Sequence, residues 1–298
     1  MGKLQNHSIN NEKDYNHLNT ENNRYTIIPI NTDYIRPRES YDSIIYNACQ
    51  HMENGDFLVI SETPIAISQG RIVDENNFKP SITSFLIADV WSKYIWGYLL
   101  GPLFRIKRRT IINLRRLPKE ARSHKQLILE YYGLKHALKP ASEAGVDLSN
   151  VPGSYVCLLP ENPEKVVRDI SIKISSQYNK EVTVMIIDTD ATYKLGGIKF
   201  TSIPLALNGI KKDLGVVGYL LGRIGKIIGP TPLAVSEDMD LERAIRIAKL
   251  AEDYHKEKDF KMETVYDMKD AFNEDLEEVT VEMLESIEHT PAVIVREI

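Results

Sequence analysis

Apolar residues along the chain alternate between two spacings. A β-branched run at residues 25–30 (YTIIPI) predicts a first strand, and Ile44, Ile45 and Ala48 sit at helical spacing within residues 40–52. The turn residues Asn54, Gly55 and Asp56 then lead into Phe57–Ser61 (FLVIS), whose unbroken apolar run marks a central strand covered on both faces. After Glu62-Thr63-Pro64, residues 65–75 alternate and predict a second strand. A helix is expected over residues 126–138, a strand over 155–159, and an amphipathic helix over Pro163–Tyr178, with Val166, Val167, Ile170, Ile172 and Ile174 on or near its apolar face. The next strand opens at Val182, so residues 155–188 predict a strand, helix, strand crossover with parallel pairing. Residues 200–207 and 292–295 complete the strands, and residues 240–255 form a helix with Leu241, Ala244, Ile245, Ala248 and Ala251. This mixture implies an α+β fold of mixed sheets with flanking helices, in two intimately connected lobes.

The most apolar stretch is residues 84–106, where Asp89, Lys93 and the pair Gly101-Pro102 argue against a membrane span. A buried or subunit-facing helix is expected instead. Its GYLLG at residues 97–101 recurs at 218–222, and the small residues would allow two apolar segments to pack closely. Residues 105–125 then gather nine bases against one acid; together the two stretches form a basic and apolar insertion around residues 84–125. Such a run is a solvated helix face or an anion-attracting one. The formal net charge of −5 and the lack of aromatics among these bases argue against nucleic acid. The chain's two cysteines, Cys49 and Cys157, form no CxxC or Cys/His cluster, which excludes a disulfide framework and a structural zinc site. Residues 1–24 are rich in Asn without the apolar segment of a signal peptide, and are expected to be a disordered tail of a cytoplasmic protein.

Candidate chemistry concentrates in loops. In residues 182–197 (VTVMIIDTDATYKLGG) a buried strand changes abruptly to Asp188-Thr189-Asp190, oxygen donors suited to a hard divalent cation beside a phosphate, although the same residues also suit a turn. The loop 141–153 (ASEAGVDLSNVPG) places Asp147 beside Asn150, a carboxylate for metal and an amide for a phosphate or base. Residues 222–232 (GRIGKIIGPTP) combine glycines with Arg223 and Lys226 but lack the Gly-Lys-Ser/Thr of a Walker A loop, so a packing loop is expected. Acids at residues 274–288 read as a solvated face.

Together, a strand ending in SET, then AGVDLSN, a strand ending in IIDTD, and a late glutamate before PAVIV resemble the coenzyme F420:γ-glutamyl ligase family over residues 25–298. The resemblance implies a GTP- and Mg²⁺- or Mn²⁺-dependent ligase, with two ions, that adds L-glutamate to the phospholactyl deazaflavin precursor of coenzyme F420. It also implies a homodimer. The family's metal ligands fall on Asp147, Asp188, Thr189 and Glu285, and its nucleotide contacts on Asn150 and, in part, Thr63. Ile67 stands where the family has a phosphate-binding lysine, and Lys125 in the basic segment is a candidate replacement. Asp190-Ala191-Thr192 replaces the family's Asn-Gly-Arg. Two alternatives stay open: a relative that binds nucleotide or anion without turnover, and a γ-glutamyl ligase for a pterin or folate acceptor.

Overall fold

The computed structural model describes residues 24–257 and 278–298. The expected N-terminal tail therefore lies almost wholly outside the described residues, as do Glu274, Asp275 and Glu277 of the acidic stretch. A six-stranded mixed sheet organises the fold. Its strands are β1 (Tyr25–Thr32), β2 (Phe57–Ser61), β5 (Thr183–Leu195), β6 (Ile198–Thr201), β7 (Lys226–Val235) and β8 (His289–Glu297). They run in the order β1, β8, β2, β5, β6, with β7 also paired to β5. The one parallel pair in that sheet joins β2 to β5 in the register Phe57 to Thr183 through Ser61 to Ile187.

Both faces of the sheet are covered, which is why β2 reads as continuous apolar sequence. Leu58 and Ile60 pack with Val184, Ile186 and the helices α1 (Asp42–Cys49) and α7 (Pro163–Tyr178), through Ile44, Ile45, Val167, Ile170 and Ile174. Phe57 and Val59 turn to the other face, against Met185, Ile187 and the Ala244, Ile247, Ala248 and Ala251 stripe of α9 (Leu241–Glu257).

Three sequence expectations are corrected. Residues 65–75 are not one strand: Glu62–Ser68 form helix α2, followed by the short strand β3 (Ile72–Asp74). Pro64 lies in the first turn of α2, where its missing N–H costs nothing, and Ile65, Ala66 and Ile67 are all buried, so apparent alternation did not signal a strand. The strand β4 (Tyr155–Cys157) does not join β5; it pairs antiparallel with β3 in a separate ribbon, and β5 takes β2 as its parallel partner. Of the packing loop expected at residues 222–232, only 222–225 form a turn, which follows helix α8 (Gly215–Leu221), and residues 226–232 are already strand β7. Their glycines serve close approach: a Cβ on Gly222 would lie 2.6 Å from the Tyr193 ring.

The insertion folds as helices: α3 (Leu86–Leu100), wound as a π-helix, then α4 (Arg108–Arg115), α5 (Ala121–Tyr132) and α6 (Leu134–Ala137). The two GYLLG copies meet here. Trp96 and Leu100 share one apolar cluster with Tyr219 and Leu220, and the Trp96 and Tyr219 rings meet edge to face at 5.3 Å. The outer side of α3 exposes Leu86, Val90, Tyr94, Tyr98 and Leu99. No helix among the described residues is long and apolar enough to cross a membrane.

Candidate active site

Parallel pairing brings the carboxyl end of β2 beside the middle of β5. Ser61, the last residue of β2, is registered with Ile187; Glu62 then opens α2, whereas β5 runs on through Asp188, which still pairs with Thr231 of β7, to Leu195, so the strand end expected at Asp188 is a bulge within a longer strand. Ligand sites of open sheets form at such carboxyl ends. Glu62 and Asp188 are buried, at 8% and 3% exposure. Burial first, then the neighbouring Asp147 charge, pushes the Glu62 carboxyl up to about 8. Burial and then Glu62 likewise hold Asp188 well above the usual carboxylate range. Asp188 is capped from its own strand, where the backbone N–H of Asp190 donates to Oδ1 at 2.6 Å, at a bulge that shifts the register with β7 between Asp188 and Ala191.

The third acid arrives on the loop before β4. Asp147 is pinned through its backbone, its N–H donating to the Cys157 carbonyl at 2.9 Å and its carbonyl accepting from the Cys157 N–H at 2.7 Å. Its carboxylate accepts from the Ser149 N–H at 2.9 Å and the Ser149 hydroxyl at 2.6 Å. Thr63 links the two loops, its hydroxyl lying 3.0 Å from Glu62 Oε1 and 3.4 Å from Asp147 Oδ2. Gly145 explains how closely the loop lies on β5: at φ +71° its missing Cβ would stand 2.8 Å from Asp188 Oδ2 and 2.9 Å from Leu159.

Asn150, itself in the left-handed region at φ +57°, accepts from the Tyr34 hydroxyl through its backbone carbonyl at 3.1 Å. Thr189 is exposed at the bulge beside Asp188. Glu285, on helix α10 (Val281–Glu285), stands apart: its carboxylate is taken by Arg36 at 2.5 Å, and it reaches this region through Tyr34, whose hydroxyl is pushed up to about 12 by burial and, lastly, by the Cys157 and Glu285 charges. Lys125 does not face the acids. Its ammonium is buried and bonded to the Glu143 carboxylate and the carbonyls of Ala137 and Lys139, which leaves it no role at a phosphate. Ile67 is buried in apolar packing with Tyr34, Ala66 and Val151, so no phosphate contact arises there either.

Among the described residues, no three His, Cys, Asp or Glu side chains already form a metal cage. The chemistry of the donors nevertheless fits a hard divalent cation: carboxylates and a threonine hydroxyl, oxygen donors throughout, whose like charges raise one another's proton affinity in a buried setting.

A sequence profile of the family described as F420-0:Gamma-glutamyl ligase matches residues 29–297. The chain belongs to the F420-0:γ-glutamyl ligase family. Over 284 residues it is 40% identical to an uncharacterized protein of Methanocaldococcus jannaschii, covering 90% of this chain and 95% of that one. It is 25% identical over 155 residues to a coenzyme F420:L-glutamate ligase of Methanopyrus kandleri, and 29% identical over 136 residues to one of Natronomonas pharaonis. Those two alignments span about half of each chain, 52% and 46% of this one and 55% and 47% of the ligases. The mixed sheet with flanking helices agrees with membership of the γ-glutamyl ligase family.

Two residues of the site escaped the sequence reading. Glu62 carries the same signature as Asp188, an acid directly after a buried apolar run, and was legible on that ground. Lys139, whose Nζ donates to Asp190 Oδ2 at 3.0 Å, had no local signal, because only the fold brings it across 51 positions.

Proposed function

We propose that the protein is a GTP- and divalent-metal-dependent ligase that adds L-glutamate to a phospholactyl deazaflavin, coenzyme F420-0, or a related acceptor. The observation that supports this most is the convergence of Glu62, Asp188 and Asp147 where β2 ends beside the bulge in its parallel partner β5, with Thr63 between the two loops. In this reading the acceptor carboxylate attacks the γ-phosphorus of GTP and displaces GDP. The amine of glutamate then attacks the acyl carbon, the C–O bond to phosphate breaks, and the amide forms with release of phosphate and a proton. Bound Mg²⁺ or Mn²⁺ would neutralise charge on the phosphates. Asp147, Asp188 and Thr189 would hold it, joined by Glu62, while Thr63 and Asn150 orient the nucleotide and burial keeps water from the acyl phosphate. Glu285 would have to leave Arg36 to take part. A homodimer, with the exposed side of α3 against a second copy, belongs to the same reading.

The test is Asp188→Asn, which keeps size and hydrogen bonding at the bulge. Glutamate-dependent phosphate release and amide product, followed by mass spectrometry over deazaflavin, pterin and folate acceptors, should fall by about 10²-fold or more with the circular dichroism spectrum unchanged. Turnover at the wild-type level would sink the site assignment. One observation favours a second reading, a nucleotide-binding relative without turnover: Ile67 is packed in the core where the resembling family has its phosphate-binding lysine. Calorimetric binding of GTP with Mn²⁺ but no product from any acceptor would select it.

A further inference from the structure

We propose that the inserted helices position the ligand-binding loop, and that Lys139 is the residue that transmits this to the site. The proposal rests on the functional reading above. Three buried ion pairs follow one another from the insertion to β5. His124 on α5 is paired through Nδ1 with Glu75 and lies 3.7 Å through Nε2 from Glu143. Lys125, the next residue, is paired with Glu143 and donates to the carbonyls of Ala137 at 2.9 Å and Lys139 at 2.8 Å. Lys139 donates to the Ser142 carbonyl and, at 3.0 Å, to Asp190. The side chains of Lys125, Lys139 and Glu143 are 2%, 3% and 9% exposed.

What these pairs hold is a backbone that would not keep its shape unaided. Ser142, Ala144 and Gly145 all have positive φ, at 53°, 56° and 71°. Two of them carry a Cβ in a region that side chains avoid, and such strain persists only where the surroundings over-determine it. Glu143 is gripped by Lys125 and His124 from one side, and Lys139 ties Ser142 to Asp190 from the other. The loop is thereby pressed onto β5, with Gly145 against the Asp188 carboxylate and Asp147 carried two residues on. Lys139 is a positioning residue: it touches Asp190 and the loop, not the reacting atoms.

Simple electrostatics and positioning predict opposite signs. Removing a buried cation beside a cluster of acids should tighten binding of a divalent cation; removing a clamp should loosen it. The experiment is a Mn²⁺ titration followed by electron paramagnetic resonance on the wild type, Lys139→Met, Lys139→Arg, Asp190→Asn and the double variant K139M/D190N. The expected result is wild-type binding, a dissociation constant at least about 10-fold weaker in Lys139→Met, partial recovery in Lys139→Arg, and a double variant no weaker than Lys139→Met alone. Phosphate release by Lys139→Met should return toward the wild-type maximum at saturating Mn²⁺. Unchanged or tighter Mn²⁺ binding by Lys139→Met overturns the inference while leaving the ligase reading intact, and so do fully additive single effects. A wild type that binds no Mn²⁺ overturns both. Should Lys139→Met fail to fold, Lys139→Gln, which removes the same positive charge but keeps a hydrogen-bond donor, decides by the same measurement: weaker Mn²⁺ binding supports the inference, and unchanged or tighter binding overturns it.

Discussion

Gly145 has two separate reasons to be glycine, its positive φ and the 2.8 Å between its missing Cβ and Asp188. Gly145→Ala is therefore expected to cost about 1–3 kcal/mol from backbone strain alone, measured by urea unfolding, and to weaken Mn²⁺ binding because the loop must lift from β5. His124 makes a prediction of opposite character. Burial would depress its pKa, but Glu75 and Glu143 more than reverse this and raise it to about 10. A pKa raised on folding stabilises fully below the unfolded value near 6.5, and that contribution fades as pH climbs toward 10. The wild-type unfolding midpoint should accordingly fall between pH 6.5 and 10 by more than that of His124→Gln; equal slopes would show that the imidazole is not held charged. Side chains of this kind divide by how far their cause lies along the chain. Asp188 and Asp147 were legible because each follows its own strand or turn signature. The fate of Lys125 was not, since its partner Glu143 and its carbonyl acceptors are supplied by the turn from α6 into the loop, and a base in a basic run looks the same whether it faces solvent or a buried acid.

Helices and strands were read well where their burial was one-sided or complete and badly where it changed within a few residues. The helices α1, α7 and α9 kept their predicted apolar stripes because each covers one face of the sheet, except that Ile172 of α7 turns to solvent, away from Ile170 and Ile174. Helix α2 was missed because Ile65, Ala66 and Ile67 are buried on every side, which erases the period that separates helix from strand. The partner of β4 was also illegible, as antiparallel pairing with β3 depends on the length of the insertion between them. That insertion is fastened by Trp96 of α3, which is fully buried against Tyr219 of α8 and Phe104. Trp96→Ala should cost about 3–5 kcal/mol in equilibrium unfolding. If the insertion braces the site, the same variant should weaken Mn²⁺ binding, although residue 96 is distant in sequence from every proposed ligand.

At the scale of the whole molecule, the charge of −5 conceals a strongly divided chain, with nine bases in residues 105–125, all but the buried Lys125 reaching solvent, and acids in excess elsewhere. Beside those bases Leu86, Val90, Tyr94, Leu99 and Leu103 are exposed, Leu99 at 64% and Leu103 at 68%. A second copy would bring its acidic body to the bases while covering the apolar side chains. Light scattering should report a dimer for the wild type and a monomer for L99E/L103E; a dimer that survives both charges would place the contact on another face. The order of the main sheet carries a consequence for biosynthesis. β8 lies between β1 and β2, and is made after every other strand described. A growing chain therefore holds β1 and β2 with their inner edges unpaired until β8 is made, and the sheet cannot close strand by strand in the order of synthesis. Until β8 is made and inserted, two open strand edges need shelter.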